Sequence, residues 1–328
     1  MRRCEKYTIT IDKKGGIGYY INVMKKIVIN NKDINNGVCV AVGTFDGVHL
    51  GHRAMLSGLV SEAKRKNLAA AVFTFDTDDN PKSHRKMLAS EQKKLALFAE
   101  LGVDLVFSSP FSQIKSMSST DFVEQVLYNE LNARVVVCGY DFRFGQDRAG
   151  DVSVIKELLS PKGVEVIVQE AVRFGDVPIS STAIRNFIAE GDVGAANKLL
   201  GRAFSIGNEI VGGAKIGRTL GFPTANQIYP SQIALLRYGV YAVKCIFGGR
   251  SYNGVANVGM KPTVANTDTP VCETYLFDFD GDCYGMYAET EFVAFIREEK
   301  RFSSLDELKE QIERDKQTAK EILKGEYN

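Results

Sequence analysis

From residue 38 onward, apolar positions fall into short unbroken runs separated by longer amphipathic stretches. The runs at 38–42, 69–75, 103–107, 135–138 and 164–168 have strand length and no alternation, the pattern of strands buried on both faces. Between them, 53–66, 91–101 and 120–131 repeat apolar positions at helical spacing. Strands alternating with helices predict a parallel sheet covered on both sides, with ligands at the carboxyl ends of the strands. Two further helices are expected over 182–190 and 193–200.

After Gly201-Arg202 the period changes. Residues 204–296 read as short alternating strands punctuated by Gly, Asn, Pro and Asp, clearest at 240–247, 252–258, 273–279 and 290–296. That pattern predicts an antiparallel sheet or small barrel. A last helix is expected over 304–324, with Ser303 or Ser304 as its cap and Glu307 placed for a capping box. At the other end, Lys13-Lys14-Gly15-Gly16 interrupts any period and Met24 is a second candidate start. The expected division is therefore a disordered extension over 1–23, a first domain over 24–201 and a second over 202–328.

Composition changes this picture little. A chain of 328 residues is long enough for two cores, and 45% hydrophobic with 25% charged residues is ordinary for a globular protein. With 41 Lys+Arg against 40 Asp+Glu, bulk charge gives no support for nucleic-acid binding. The expected partners are small molecules. The six cysteines are scattered, without a C-x-x-C pair, and read as structural thiols of a reducing compartment. No apolar stretch approaches membrane-span length, and no signal-peptide core follows the basic amino terminus. The expected location is cytoplasmic.

Candidate chemistry concentrates in a few segments. Val42-Gly43-Thr44-Phe45-Asp46-Gly47-Val48-His49-Leu50-Gly51-His52 lies where the first buried strand ends and a helix begins. Glycines allow a sharp turn, and a helix start offers free N–H groups to phosphate. Two of the chain's three histidines fall here, three residues apart. They suit charge stabilisation on a triphosphate; two capping or surface histidines are the bland alternative. A zinc pair lacks a third ligand nearby in sequence.

Two blocks follow. Gly139-Tyr140-Asp141-Phe142-Arg143-Phe144-Gly145 ends a strand with acidic and aromatic groups suited to a nucleotide or flavin. Ile179-Ser180-Ser181-Thr182-Ala183-Ile184-Arg185 opens a helix, where the hydroxyls either cap it or meet phosphate, with Arg185 a turn in. In the second half, residues 212–226 run Gly-Gly-Ala-Lys-Ile-Gly-Arg-Thr-Leu-Gly-Phe-Pro-Thr-Ala-Asn. This is not the P-loop spacing. It is either a glycine-rich polar hairpin or a phosphate-covering loop, with Thr224 and Asn226 on one side of a strand as oxygen ligands of the kind Mg²⁺ prefers.

Taken in order, these blocks resemble the bacterial bifunctional riboflavin kinase/FMN adenylyltransferase (FAD synthetase) family. The first segment is similar to its G-x-F-D-G-x-H-x-G-H signature, and the later one to G-R-T-L-G-F-P-T-A-N. Asn257-Val258-Gly259-Met260-Lys261-Pro262-Thr263, Glu273-Thr274-Tyr275 and Arg297 with Phe302 agree as well. The resemblance implies an α/β chain: a Rossmann-like nucleotidyltransferase domain with a parallel sheet, followed by a small antiparallel β-barrel riboflavin kinase domain and a C-terminal helix. It implies ATP, riboflavin and FMN as substrates and Mg²⁺ as cofactor.

By the same resemblance His49 and His52 are catalytic in the front site. Gly43, Phe45, Asp46, Gly51, Ser180, Ser181, Thr182 and Arg185 contact ATP there, and Asp141, Phe142, Arg143 and Phe144 the nucleotide or flavin. In the rear site Gly213, Lys215, Gly217 and Arg218 meet phosphate, Thr224 and Asn226 the metal, and Arg297 the flavin. Glu273 is the base. The chain departs from the family at Asp76-Thr77-Asp78-Asp79-Asn80-Pro81, where a D-P-H-P-like segment is usual. A kinase with a degenerate front half, and a flavin-sensing regulator, are the alternatives.

Overall fold

The computed structural model describes residues 8–11, 24–30, 35–76, 86–212, 224–260 and 269–325. Contacts divide the chain into two compact units, one of residues 1–84 and 91–179, the other of residues 85–90 and 180–328.

In the first unit, β1 (Thr8–Ile11), β2 (Lys25–Val28), β3 (Val38–Val42), β4 (Ala69–Asp76), β5 (Leu105–Pro110), β6 (Ala133–Gly139) and β7 (Glu165–Gln169) form one sheet. Its order is β1-β2-β5-β4-β3-β6-β7. β3 pairs in parallel with β4 and β6, and the parallel register continues to β5 and β7. Alternate residues of β3 serve opposite faces. Val38, Val40 and Val42 pack with Phe73, Phe122 and Leu127, while Cys39 and Ala41 pack with Leu56, Leu59 and Phe98. The unbroken apolar runs thus become strands buried on both sides. Helices α1 (Leu50–Arg65) and α2 (Glu91–Glu100) supply part of the second layer.

Three expectations change here. Thr8–Ile11, inside the expected disordered extension, is a strand paired antiparallel with Lys25–Val28, which itself pairs with β5. The other residues of 1–23 lie outside the described residues. After the short helix α3 (Phe111–Lys115), the expected helix over 120–131 begins as α4 (Ser119–Asp121) and continues as a π-helical segment, Phe122–Glu130. Its wider winding, with Leu131 N–H on the Val126 carbonyl, turns the bulky pairs Phe122, Val123 and Val126, Leu127 into the core together. The strand expected at 103–107 is displaced to Leu105–Pro110, because Val103 N–H closes the preceding helix on Phe98.

The second unit begins earlier than Arg202. After α5 (Val152–Leu159) and the hairpin β8 (Arg173–Phe174) and β9 (Val177–Pro178), all in the first unit, come α6 (Ser181–Glu190) and α7 (Val193–Leu200). Both helices belong with the barrel, because α7 buries Val193, Ala196, Leu199 and Leu200 and packs on its strands. The barrel closes in the order β10-β11-β14-β13-β12-β15. Its strands are β10 (Phe204–Val211), β11 (Thr224–Ile228), β12 (Gly239–Phe247), β13 (Arg250–Met260), β14 (Pro270–Leu276) and β15 (Tyr287–Arg297). Closure leaves no free sheet edge.

β14 stops short of the expected 279 because the chain turns at Asp278, whose φ is 56°. The terminal helix α8 (Leu305–Gly325) buries Ala319 and Leu323 against Val240, Ala242 and Val255. Ser304 Oγ accepts from Glu307 N–H at 3.2 Å, and the Glu307 carboxylate reaches back to Ser303 N–H at 3.0 Å.

Candidate functional site

In the first unit, strand order reverses between β3 and β6, the place where doubly wound sheets bind ligands. The loop after β3 is tightly wound. Phe45, Gly47 and Val48 have φ of 49°, 75° and 41°, and a β-branched residue in the left-handed region is strained by roughly 1–3 kcal/mol. Buried neighbours hold it: Phe45 is 1% exposed and meets Phe98 and His52 edge-on, at 5.8 and 5.3 Å between ring centres.

The turn delivers His49 as the N-cap of α1, its Nδ1 accepting from His52 N–H at 3.3 Å. That acceptor role leaves the proton of a neutral His49 on Nε2. The two imidazoles stack at 3.6 Å and 16°. Two cations at that distance would repel by roughly 4–5 kcal/mol at an effective dielectric of about 20, which disfavours a positive charge on both rings at once. Burial, His49 and Lys94 together push the His52 imidazole well below its ordinary range. Its Nδ1 is buried without a hydrogen-bond partner among the described residues. Gly51 lies close under this stack, and a Cβ there would stand 3.2 Å from the His49 ring.

The expected front residues differ in burial and in the unit that holds them. Phe45 and Asp46 are buried in the turn itself. Phe144 is a core residue, packed on Phe122 and stacked with Phe142. Asp141 and Arg143 are exposed at the end of β6. Arg143 pairs with Asp151, whose carboxyl is held down to about 2 by the Ser153 hydroxyl and then by Arg143. The structure places Ser180, Ser181, Thr182 and Arg185 in the second unit. Ser180 caps α6 by accepting from Ala183 N–H at 3.2 Å, and Arg185 Nε donates to the Lys86 carbonyl at 2.7 Å. Thr182 is exposed on the first turn of α6.

In the barrel, Glu273 on β14 lies between two neighbours. Its Cα partner is Asn226 on β11 and Asn257 on β13. Thr224, two residues before Asn226, shares that face of β11. Asn226 is 5% exposed, and its Oδ1 is buried with no partner among the described residues. An orphaned carbonyl oxygen and a hydroxyl two residues away on the same face are oxygen donors of the kind that Mg²⁺ prefers, and Glu273 stands across the ladder from them. Gly213, Lys215, Gly217 and Arg218 lie outside the described residues, as do Lys261-Pro262-Thr263.

Arg297 is firmly placed. Its Nε and Nη2 grip the buried Asp315 of α8 at 2.9 and 2.6 Å, and Gln311 Nε2 donates to the same carboxylate at 2.9 Å. Two further groups escaped the sequence reading. Glu299 Oε1 accepts from Asn257 Nδ2 at 3.2 Å, fitting against Gly259, where any Cβ would lie 2.0 Å away. Lys94, on α2, is buried at 7% exposure. A lysine within an amphipathic helix reads as solvated, and only packing reveals otherwise.

Comparison with known proteins covers both units. The FAD synthetase family model matches residues 31–183 and the riboflavin kinase family model residues 200–323. The bifunctional riboflavin kinase/FMN adenylyltransferase of Escherichia coli K12 is 37% identical over 297 residues, 88% of this chain and 93% of that one. The same-named protein of Haemophilus influenzae is 37% identical, covering 89% and 96%, and that of Bacillus subtilis 35% identical, covering 85% and 90%. A solved structure described as a macrolide-efflux protein from Streptococcus pneumoniae matches with a TM-score of 0.79 and 28% identity, over 88% of this chain and 96% of that one. Among the described residues no helix is long and apolar enough to cross a membrane. Two domain matches in tandem, and relatives aligned over almost their whole length, place this chain in the bifunctional riboflavin kinase/FMN adenylyltransferase family.

Proposed function

We propose that the barrel converts riboflavin and ATP to FMN and ADP, and that the parallel-sheet unit then joins FMN and ATP into FAD and diphosphate. The observation carrying the first step is the row Asn226–Glu273–Asn257 across neighbouring barrel strands. Glu273 accepts the proton of the riboflavin 5′-hydroxyl as that oxygen attacks the γ-phosphorus; ADP leaves. Thr224 and Asn226 are the residues that hold Mg²⁺, which neutralises phosphate charge when bound. Arg297, fixed by Asp315, supports the flavin end.

For the second step, an oxygen of the FMN phosphate attacks the α-phosphorus of ATP and diphosphate leaves, with no covalent enzyme intermediate. His49 and His52 donate hydrogen bonds to the phosphate oxygens as charge builds on them. The testing experiment is mass spectrometry of products after incubating the full chain with riboflavin, ATP and Mg²⁺. FMN and FAD together are expected. FMN alone would remove the front activity, and neither product would overturn the reading.

A further inference from the structure

Arg297 stands on the same rung of the barrel as Glu273. Asn226 on β11 pairs with Glu273 on β14, Glu273 with Asn257 on β13, Asn257 with Val240 on β12, and Val240 with Arg297 on β15. Residues directly opposite each other share a face of the sheet. The rung therefore lies on the face of Val240, Val255 and Tyr275, against which α8 packs Ala319 and Leu323. Neighbouring strands are about 4.8 Å apart, so three steps separate Glu273 from Arg297 by roughly 14 Å along the rung. Asp315 reaches the rung from α8. Its side chain is 5% exposed and takes the Nε and Nη2 donors of Arg297, while Nη1 donates to the Glu298 carbonyl at 2.8 Å. A guanidinium carries five N–H donors. Two are thus left without a partner among the described residues, on a side chain that keeps 23% exposure.

We propose that Asp315 is a positioning residue for flavin recognition: it fixes Arg297 so that the two remaining N–H groups meet a ring carbonyl of riboflavin, at the opposite end of the rung from Asn226. The proposal rests on the riboflavin kinase reading above. Riboflavin carries no anionic group; its acceptors are the chain hydroxyls and the carbonyls and nitrogens of the ring. With the reacting hydroxyl at Glu273, the strand spacing makes the ring the part that reaches Arg297. Asp315 already balances the guanidinium charge, and a balanced guanidinium suits a neutral acceptor better than a phosphate. Stability alone is a weak reason for the pair, because apolar residues of similar volume often replace a buried ion pair without loss.

The test uses the full chain with Arg297→Met and Asp315→Leu made together, and with Asp315→Asn alone. The double variant removes both charges at similar volume, so its Tm should stay near the parent's. Its riboflavin KM should rise roughly tenfold or more, the worth of a hydrogen bond to a charged donor. ATP KM and kcat should stay near parental, because a contact remote from the reacting atoms serves ground and transition state alike. Asp315→Asn keeps the shape but turns an N–H toward the guanidinium, and should move riboflavin KM the same way. The probes are 2-thioriboflavin and 4-thioriboflavin, in which sulfur, a weaker acceptor, replaces one ring carbonyl oxygen. The parent should disfavour one of them about tenfold, and the double variant should treat that one like riboflavin. A parental riboflavin KM in the folded double variant would overturn the proposal. So would a parent that takes both thio analogues as readily as riboflavin, an outcome that needs no variant to fold. If the parent phosphorylates no riboflavin, the kinase reading fails by itself, and binding of the three flavins to the parent, followed by flavin fluorescence, still decides the proposal.

Discussion

Glu273 and Asn226 become neighbours only through the β11–β14 ladder. Their residue types and motifs were legible in the sequence, but their pairing was not, because strand periodicity assigns faces and leaves register open. The same limit hid the Asn257–Glu299 contact. Glutamine in place of Glu273 keeps the size and an acceptor oxygen but cannot take a proton. Glu273→Gln should therefore lower riboflavin phosphorylation by roughly 10²–10⁴, while FAD formation from supplied FMN stays at the parental rate. Steady-state rates of the two half-reactions, measured separately, check this. A normal phosphorylation rate would make Glu273 an ordinary strand residue.

Among the elements, α8 matches its sequence signals closely. The Ser304 and Glu307 signals predict its start, and the helix ends at Gly325 against an expected 324. The π-helical turn at Phe122–Glu130 was not legible, since an apolar spacing of three to four residues fits either winding until the core selects one. Glu307 gives α8 a pH dependence. The Ser303 backbone N–H, Lys300 and the Ser303 hydroxyl hold its carboxyl down to about 2. A folded value below the unfolded one adds stability that is complete above the usual carboxylate range and is lost as pH falls toward 2. The Tm of the parent should exceed that of Glu307→Gln by a constant amount above about pH 5. The gap should close steadily between about pH 5 and pH 2, as thermal melts across that range would show. A gap independent of pH would mean that the cap does not depend on the charge.

At the scale of the whole molecule, the change of period after Gly201 marks the start of the barrel's strands, whereas the compact unit that holds them begins at Ser180. α6 and α7 have helical periodicity like the first half, so sequence pattern assigns them forward; their packing assigns them to the barrel. Asn197 shows why: its Nδ2 donates to the Phe292 carbonyl at 2.9 Å and its Oδ1 accepts from Phe204 N–H at 2.7 Å, bonding β15 and β10 at once. Arg237 N–H, leading into β12, bonds the Ile188 carbonyl of α6 at 3.3 Å. A fragment of residues 202–328 would lose these bonds, each worth about 1 kcal/mol. It would also lose the burial of Val193, Leu199 and Leu200, at roughly 1.5–3 kcal/mol per side chain. That loss is comparable to the entire stability of an ordinary domain, about 5–15 kcal/mol. A fragment of residues 180–328 keeps them all. It should fold, melt cooperatively and phosphorylate riboflavin, whereas the 202–328 fragment should be insoluble or melt far lower. Expressing both and comparing thermal melts and FMN yield decides the point. Equal stability of the two fragments would show that α6 and α7 are passengers on the barrel, and that the sequence boundary at residue 201 is also the thermodynamic one.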